Sequence, residues 1–324
     1  MDTARPLSHP PLSIVGDVGV DLVLGSLTGW PQVGTELLMP RSELRPGGSG
    51  ANAALAARHI GQRAHLISAV GNDHFGQWLA EQLAGIETSL EICDIGTTVS
   101  VGLMHTCGER NFFTTHGHLQ RLSAEHVLGH LQPTETPEMP ETAPAIALFT
   151  APFLLTGLRP RYAGLMAEAA RRGYRVALDT GWPPEGWDRD EVMTWLPHCD
   201  HLLINELEAQ SIAGTADLDE ALTLIGRALK PGASLIVKVG ARGALGVEGG
   251  QRVQRITEPA DIFDTIGAGD AFNAGYLAAR LRGGDVAEGL AAGCRTAGAI
   301  LSRFPRTTIR AGEFAGCVPS QVLA

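Results

Sequence analysis

The stretch "AHLISAVG", Ala64 to Gly71, followed by "FGQWLAEQLAG", Phe75 to Gly85, decides the fold class. A run of nearly unbroken apolar character reads as a buried strand, and the segment after it reads as a helix closed by glycine. The same pattern lies on both sides of it. Upstream, "LSIVG" (Leu12 to Gly16) reads as a strand and "GANAALAARHIG" (Gly50 to Gly61) as an Ala-rich helix. Downstream, "AIALFTA" precedes "YAGLMAEAARRG", "RVALDT" follows, "HLLIN" precedes "ELEAQSIAG", and "SLIVKVG" lies near "ARGALGV". Continuous apolar strands alternating with helices predict a doubly wound α/β fold, its sheet mostly parallel and covered by helices on both faces.

Two stretches break this rhythm. "VSVGLMHTCGERNFFTTHG" (Val99 to Gly117) alternates around Cys107-Gly108 as a β-hairpin does, and "VDLVLGSLTGWPQVGTELLMPRSELRPGG" has short β-like runs without a helix. Together they suggest a small separate β sheet. "QPTETPEMPETAP" (Gln132 to Pro144) has the composition of a solvated loop within the domain.

Composition limits the function classes. Hydrophobic residues make up 44% and charged residues 19% of 324, with no apolar run of the roughly 18 residues that a bilayer span needs. The start, "MDTARPLSHPP", lacks the features of a secretory signal, so a cytoplasmic protein is expected. Cys93, Cys107, Cys199, Cys294 and Cys317 are scattered without a C-x-x-C pair, the usage of reduced thiols. A net charge of −10 and the lack of a basic cluster argue against nucleic acid as a partner. Lys230 and Lys238 are the only lysines and neither completes a Walker-type loop. His9, His59, His65, His116, His118, His198 and His201 show no H-x-x-x-H spacing, and no metal site is assigned to them. The first strand is not followed by G-x-G-x-x-G, which excludes a Rossmann dehydrogenase.

Three constellations carry candidate chemistry. In "DTIGAGDAFNAG" (Asp264 to Gly275), Gly267 and Gly269 allow a tight turn whose amides converge with the positive end of a helix beginning near Asp270. A carboxylate repels a phosphate bound there, so it is an odd choice at an anion site unless its task is to take a proton from an attacking hydroxyl, as phosphoryl transfer requires. The alternative is that Asp270 merely caps the helix. In "RPGGSGANAALAAR" (Arg45 to Arg58), glycines expose amides around Ser49, and Asn52 offers a donor and an acceptor to a polyol. A flexible turn capped by Ser49 is the other reading. Asp17 and Asp21 follow the first strand, at the edge where doubly wound sheets place ligands, as sugar acceptors or as solvated loop residues. In "INELEAQ", Asn205 and Glu208 have the spacing of a capping box, and a Glu at that helix start also suits the water shell of magnesium.

With these residues in hand, the chain resembles the ribokinase or PfkB family of carbohydrate kinases from about Ser13 to about Arg306. "PGGSGANAA", "GNDHFG", "INELEA", "VKVGARGA" and "DTIGAGDAFNAG" stand in the family's order. The resemblance implies a single ribokinase-like kinase domain over residues 1–324, with lid segments at approximately residues 20–46 and 97–118. It implies transfer of the γ-phosphate of ATP to a hydroxymethyl group. Asp270 would be the base, and the Gly267, Ala268 and Gly269 amides the anion hole. Asp21, Gly48, Ser49 and Asn52 would hold the sugar. Asn205 and Glu208 would position phosphate and Mg2+, the latter through water, with Lys238, Gly240 and Gly243 on the nucleotide side. Asp264 and Ile266 resemble half of the monovalent-cation site of some members, so K+ is a further candidate; the other half is replaced here by "SRFPRTT" (Ser302 to Thr308). Ser49 stands where ribokinases usually have lysine, and Thr150 stands at or near a ribose-binding glutamate.

A single carboxylate among the sugar-side residues favours a neutral sugar, ribose-like or fructose-like, unless Arg110 compensates for an acidic one. A nucleoside kinase, or a sugar-acid kinase of the 2-keto-3-deoxygluconate type, keeps the same base. A homodimer through the lid is expected, because pairing covers an open sheet edge.

Overall fold

A computed structural model describes residues 11–132, 145–258 and 260–319. Residues 133–144, most of the loop expected between Gln132 and Pro144, lie outside the described residues. In chain order the strands are β1 (Leu12–Val15), β2 (Gly19–Leu27), β3 (Arg41–Gly47), β4 (Ala64–Gly71), β5 (Glu87–Cys93), β6 (Val99–His105), β7 (Arg110–Thr114), β8 (Ala145–Thr150), β9 (Tyr174–Asp179), β10 (His201–Asn205), β11 (Ser234–Lys238), β12 (Ala244–Glu248) and β13 (Gln251–Arg255). The α-helices are α1 (Ser49–His59), α2 (His74–Gln82), α3 (Ala124–His130), α4 (Tyr162–Arg171), α5 (Arg189–Trp195), α6 (Glu206–Ala213), α7 (Leu218–Ala228), α8 (Ala268–Leu281) and α9 (Val286–Leu301).

The large sheet runs β13-β12-β11-β10-β9-β8-β1-β4-β5. From β5 to β11 every pairing is parallel, and β12 and β13 close the far edge antiparallel. β8 shows why the strands are apolar throughout. Ile146 and Leu148 enter one core and Ala147 and Phe149 the opposite one, so neither face can carry polar residues. On one face Phe149, Tyr162 and Trp195 pack ring on ring, with centroids 5.7 Å and 5.6 Å apart for successive pairs. Each ring buries enough surface for about 4–6 kcal/mol before the entropy of ordering is subtracted. On the other face lie α1, α8 and α9. Helix boundaries follow local chemistry: Asp217 caps α7, and Asp285 with Glu288 forms a capping box on α9.

The small sheet is separate, with order β3-β2-β6-β7. β6 and β7 form the hairpin expected around Cys107-Gly108, and β2 pairs antiparallel with β3 and parallel with β6. Val23 and Met104 pack on Ile266, which joins this sheet to the turn before α8. The carboxyl ends of β1, β8, β9, β10 and β11 open on one edge, bringing Asp17, Thr150, Asp179, Asn205 and Lys238 together. No described helix is long and apolar enough to cross a membrane.

Candidate active site

The start of α8 differs from the expectation in one decisive respect. Gly267, not Asp270, is the N-cap, with a left-handed φ of 74°, and the helix begins at Ala268. Asp270 therefore lies in the first turn and makes no cap. Its Oδ2 instead accepts a hydrogen bond from Asn52 Nδ2 at 3.1 Å. The turn favours glycine at position 267 because a Cβ is strained at this φ, and that Cβ would also sit tightly, 3.3 Å from Asn52 Cγ. The Ala268 amide closes the turn onto the Thr265 carbonyl at 3.2 Å, whereas the Gly267 and Gly269 amides make no hydrogen bond among the described residues. Two of the three expected anion-hole donors are thus open.

Lys238 sits against this turn more closely than its place in the sequence indicated. A Cβ on Gly269 would lie 3.3 Å from its Nζ. The ammonium donates to Asp179 Oδ2 at 2.7 Å and to Asn273 Oδ1 at 3.3 Å, and Asn273 Nδ2 donates back to Asp179 Oδ2. Burial works to lower the Lys238 pKa, but Asp179 and Glu208 outweigh it and the ammonium is held charged. For Asp270, burial pushes the pKa well above the usual carboxylate value; Asp179 adds to the rise and Lys238 opposes it. A carboxylate made more basic in this way is a better proton acceptor. The sequence reading missed Asp179 and Asn273, although Asp179 ends a strand at the same edge as Asp17.

Asn52 is one of the expected sugar-side residues; the others lie on β2 and at the start of α1. Asp21 is 5% exposed and rests on Gly47, where an added Cβ would come within 2.0 Å of Asp21 Cγ. Its carboxylate makes no hydrogen bond among the described residues, and burial raises its pKa to about 7. Asp17 is bound inward, accepting from the Gly50 amide at 3.2 Å. Gly48 caps α1 and Ser49 forms no cap bond, so the expected Ser49 cap is replaced by the glycine. Arg110, from the hairpin, donates to Thr265 Oγ1 at 3.2 Å and so reaches the same turn. Thr150 is fully buried, beneath the site.

The Asn205–Glu208 capping box forms in full, Glu208 Oε2 accepting from the Asn205 amide at 2.8 Å and Asn205 Oδ1 from the Glu208 amide at 2.9 Å. Asn205 is in register with Lys238 on the neighbouring strand, and burial raises the Glu208 pKa to about 7. Glu208 Oε1 takes no hydrogen bond among the described residues. One open carboxylate oxygen fits a magnesium ion that keeps its waters and is held mainly by phosphates. Gly240 and Gly243 shape the tight turn between β11 and β12, Gly243 at φ 94° against the Arg255 carbonyl.

A second cluster went unread in the sequence. Arg45 donates to Glu43 Oε2 at 3.0 Å and to both Asp264 oxygens at 3.2 Å, and Arg306 donates to Asp264 Oδ1 at 2.7 Å. His126 and His130, one helical turn apart, also escaped notice. His126 Nε2 faces the Ser89 carbonyl and His130 Nδ1 the His126 carbonyl, and no metal-binding group of three such residues occurs among the described residues.

A buried carboxylate, open amides at a helix start and an ammonium group at one sheet edge are the parts that phosphoryl transfer uses. Comparison with known proteins leads to the same class. Residues 13–308 match the pfkB family carbohydrate kinase. The chain is 25% identical over 296 residues to Ribokinase of Bacillus subtilis (strain 168), covering 90% of this chain and 93% of the relative. It is 27% identical over 283 residues to Nucleoside kinase of Methanothermobacter thermautotrophicus, covering 85% and 84%. The solved structure of Arabidopsis thaliana ribokinase complexed with ribose and ATP shares the fold, with a TM-score of 0.74 at 19% identity over 94% of this chain and 97% of that one. The protein is a phosphotransferase acting on a sugar hydroxyl. It belongs to the PfkB family of carbohydrate kinases.

Proposed function

We propose that this protein, acting in the cytoplasm, transfers the γ-phosphate of ATP to a hydroxymethyl group of a small neutral sugar, ribose-like or fructose-like, with Asp270 as the base. The observation that carries this reading is the Asp270 carboxylate, made basic by burial and oriented by Asn52, beside the open Gly267 and Gly269 amides and the Lys238 ammonium. The sugar hydroxyl gives its proton to Asp270 as its oxygen attacks the γ-phosphorus. The bond from that phosphorus to the bridging oxygen of ADP breaks, and the amides and Lys238 stabilise the charge that builds on the phosphoryl oxygens. Mg2+, when bound, neutralises charge on the phosphates. Glu208 would hold it through water; Glu208→Gln keeps the cap and is expected to shift the magnesium dependence of turnover, which a magnesium titration reads.

Asp21 supports the choice of a neutral substrate. A buried carboxylate that makes no hydrogen bond among the described residues is suited to accept from sugar hydroxyls, and although Arg45 on the paired strand offsets part of its charge, burial outweighs that and it disfavours an acid or a phosphate. Arg110 is already engaged with Thr265. The ionised form of Asp21 is the better acceptor and its pKa lies at about 7. Sugar affinity is therefore expected to strengthen as pH rises from about 6 to about 8, and Asp21→Asn to weaken binding and flatten that profile. A panel of sugars, sugar acids, sugar phosphates and nucleosides, scored by kcat/KM, tests the class; the highest value for an acid or a phosphate overturns it. The nucleoside kinase relative favours a nucleoside as the second reading.

The small sheet is read as a lid over the sugar and as the dimer surface. Exposed side chains on it and on its β2–β3 connection include Leu44, Phe112 and Phe113, and Trp30 and Leu38 respectively, an apolar group that a second copy would cover. Sedimentation is expected to show a dimer at micromolar concentration, and sugar is expected to slow amide exchange within β6 and β7. A monomer in every condition contradicts the dimer, and unchanged exchange contradicts the lid.

A further inference from the structure

The oxygens that the family resemblance offers to a potassium ion are turned toward a guanidinium group. Arg306 Nη2 donates to Asp264 Oδ1 at 2.7 Å and to the Asp264 carbonyl at 2.9 Å, while Nη1 donates to the Ile266 carbonyl. Asp264 Oδ1 also accepts from Arg45 Nη2 at 3.2 Å and from the Ile266 amide at 3.0 Å. A potassium ion at these atoms would meet two guanidinium cations and no unshared oxygen of this pair, so the residues present do not fit it.

We infer that Arg306 is the resident cation of the turn before α8, a covalently attached charge that replaces an exchangeable monovalent ion and frees the enzyme from potassium. Three features support this. The Arg306 side chain is 10% exposed, and its backbone amide is fixed by Glu43 Oε1 at 2.7 Å. Its guanidinium forks onto Asp264 Oδ1, the Asp264 carbonyl and the Ile266 carbonyl, and a guanidinium keeps its charge at neutral pH. A Cβ on Gly267 would lie 3.5 Å from Arg306 Nη1, which puts the charge beside the Gly267 turn. Glu43, Arg45, Asp264 and Arg306 together are neutral. Loss of Arg306 leaves one uncompensated negative charge and a place lined by the Asp264 and Ile266 oxygens that a small cation could enter.

Arg306 is thus a positioning residue: it holds the Ile266 carbonyl and the left-handed Gly267 so that the amides face the substrate. The inference rests on reading that turn as the anion hole. Its test compares potassium chloride with tetramethylammonium chloride at equal ionic strength, following both turnover and Tm. Wild-type turnover and Tm are expected to be the same in the two salts. In tetramethylammonium, Arg306→Ala is expected to lose about 10–10²-fold in kcat. Added potassium should then restore part of that loss and raise its Tm with concentration. Arg306→Lys, which keeps the charge but not the fork, should fall between the two. The inference is overturned by a wild-type protein whose turnover or Tm rises specifically with potassium, or by a folded Arg306→Ala protein with wild-type kcat in tetramethylammonium. The wild-type arm needs no variant to fold, and the Tm readings do not depend on the kinase reaction, so failure of the catalytic reading is seen separately.

Discussion

Asp270→Asn is expected to lower kcat by about 10²–10⁴ while sugar binding changes little. Asparagine keeps the volume of the side chain and an oxygen for Asn52 Nδ2, but it cannot take the proton of the attacking hydroxyl. Because Gly267 is the N-cap of α8, the substitution removes no helix cap, and no stability loss from that source can be confused with the loss of turnover. Stability should instead hold or rise at neutral pH. The folded-state pKa of Asp270 is raised, so the stability contribution of this group is full below the unfolded value and is lost as pH climbs through the folded one. A folded Asp270→Asn protein with near-normal turnover would remove Asp270 from the mechanism.

Lys238→Met should have a comparable effect for two separable reasons. The ammonium lies against the first turn of α8, and loss of one donor to developing charge typically costs about 10²–10³ in kcat. Its salt bridge to Asp179 joins side chains that are 13% and 8% exposed, and breaking a buried pair from one side costs about 3–5 kcal/mol. Removing the orphaned charge as well, in Lys238→Met/Asp179→Asn, should recover much of the stability and none of the turnover. Denaturant unfolding and steady-state kinetics on the two variants measure these effects independently. Recovery of turnover by the double change would mean that Lys238 serves only to neutralise Asp179.

The sequence made the central parallel strands legible because burial on both faces leaves them no polar positions. It concealed β5 and β13 for the opposite reason: "ETSLEIC" and "QRVQR" lie at the sheet's two edges, β5 only partly buried and β13 largely exposed, so polar residues interrupt both. The hairpin was readable from its own alternation around Gly108. At the site, motifs within a single turn of chain were readable, including the Asn205–Glu208 box and the glycines before α8. The helix start was misjudged because an αL glycine can cap through its backbone and leaves no side-chain signature. Partners far apart in the chain were not readable at all. Lys238 and Asp179 are 59 positions apart, Asn273 and Asp179 are 94, Arg45 and Asp264 are 219, and Arg306 and Glu43 are 263. Strand order together with the packing of α8 and of the turns around Asp264 and Arg306 brings them together, and no local pattern marks a charge whose counter-ion comes from another element.

Phosphorus NMR of the product formed from ATP and the best neutral sugar of the panel shows whether a hydroxymethyl oxygen is the acceptor and whether Asp270 is needed. If Asp270 takes the proton of a hydroxymethyl group, one ADP forms for each sugar phosphate, the ester signal is split into a triplet by the two protons of the phosphorylated hydroxymethyl carbon, and Asp270→Asn gives little such product in the same time. A doublet, reporting phosphate on a secondary carbon, or equal product from the Asp270→Asn protein would contradict it.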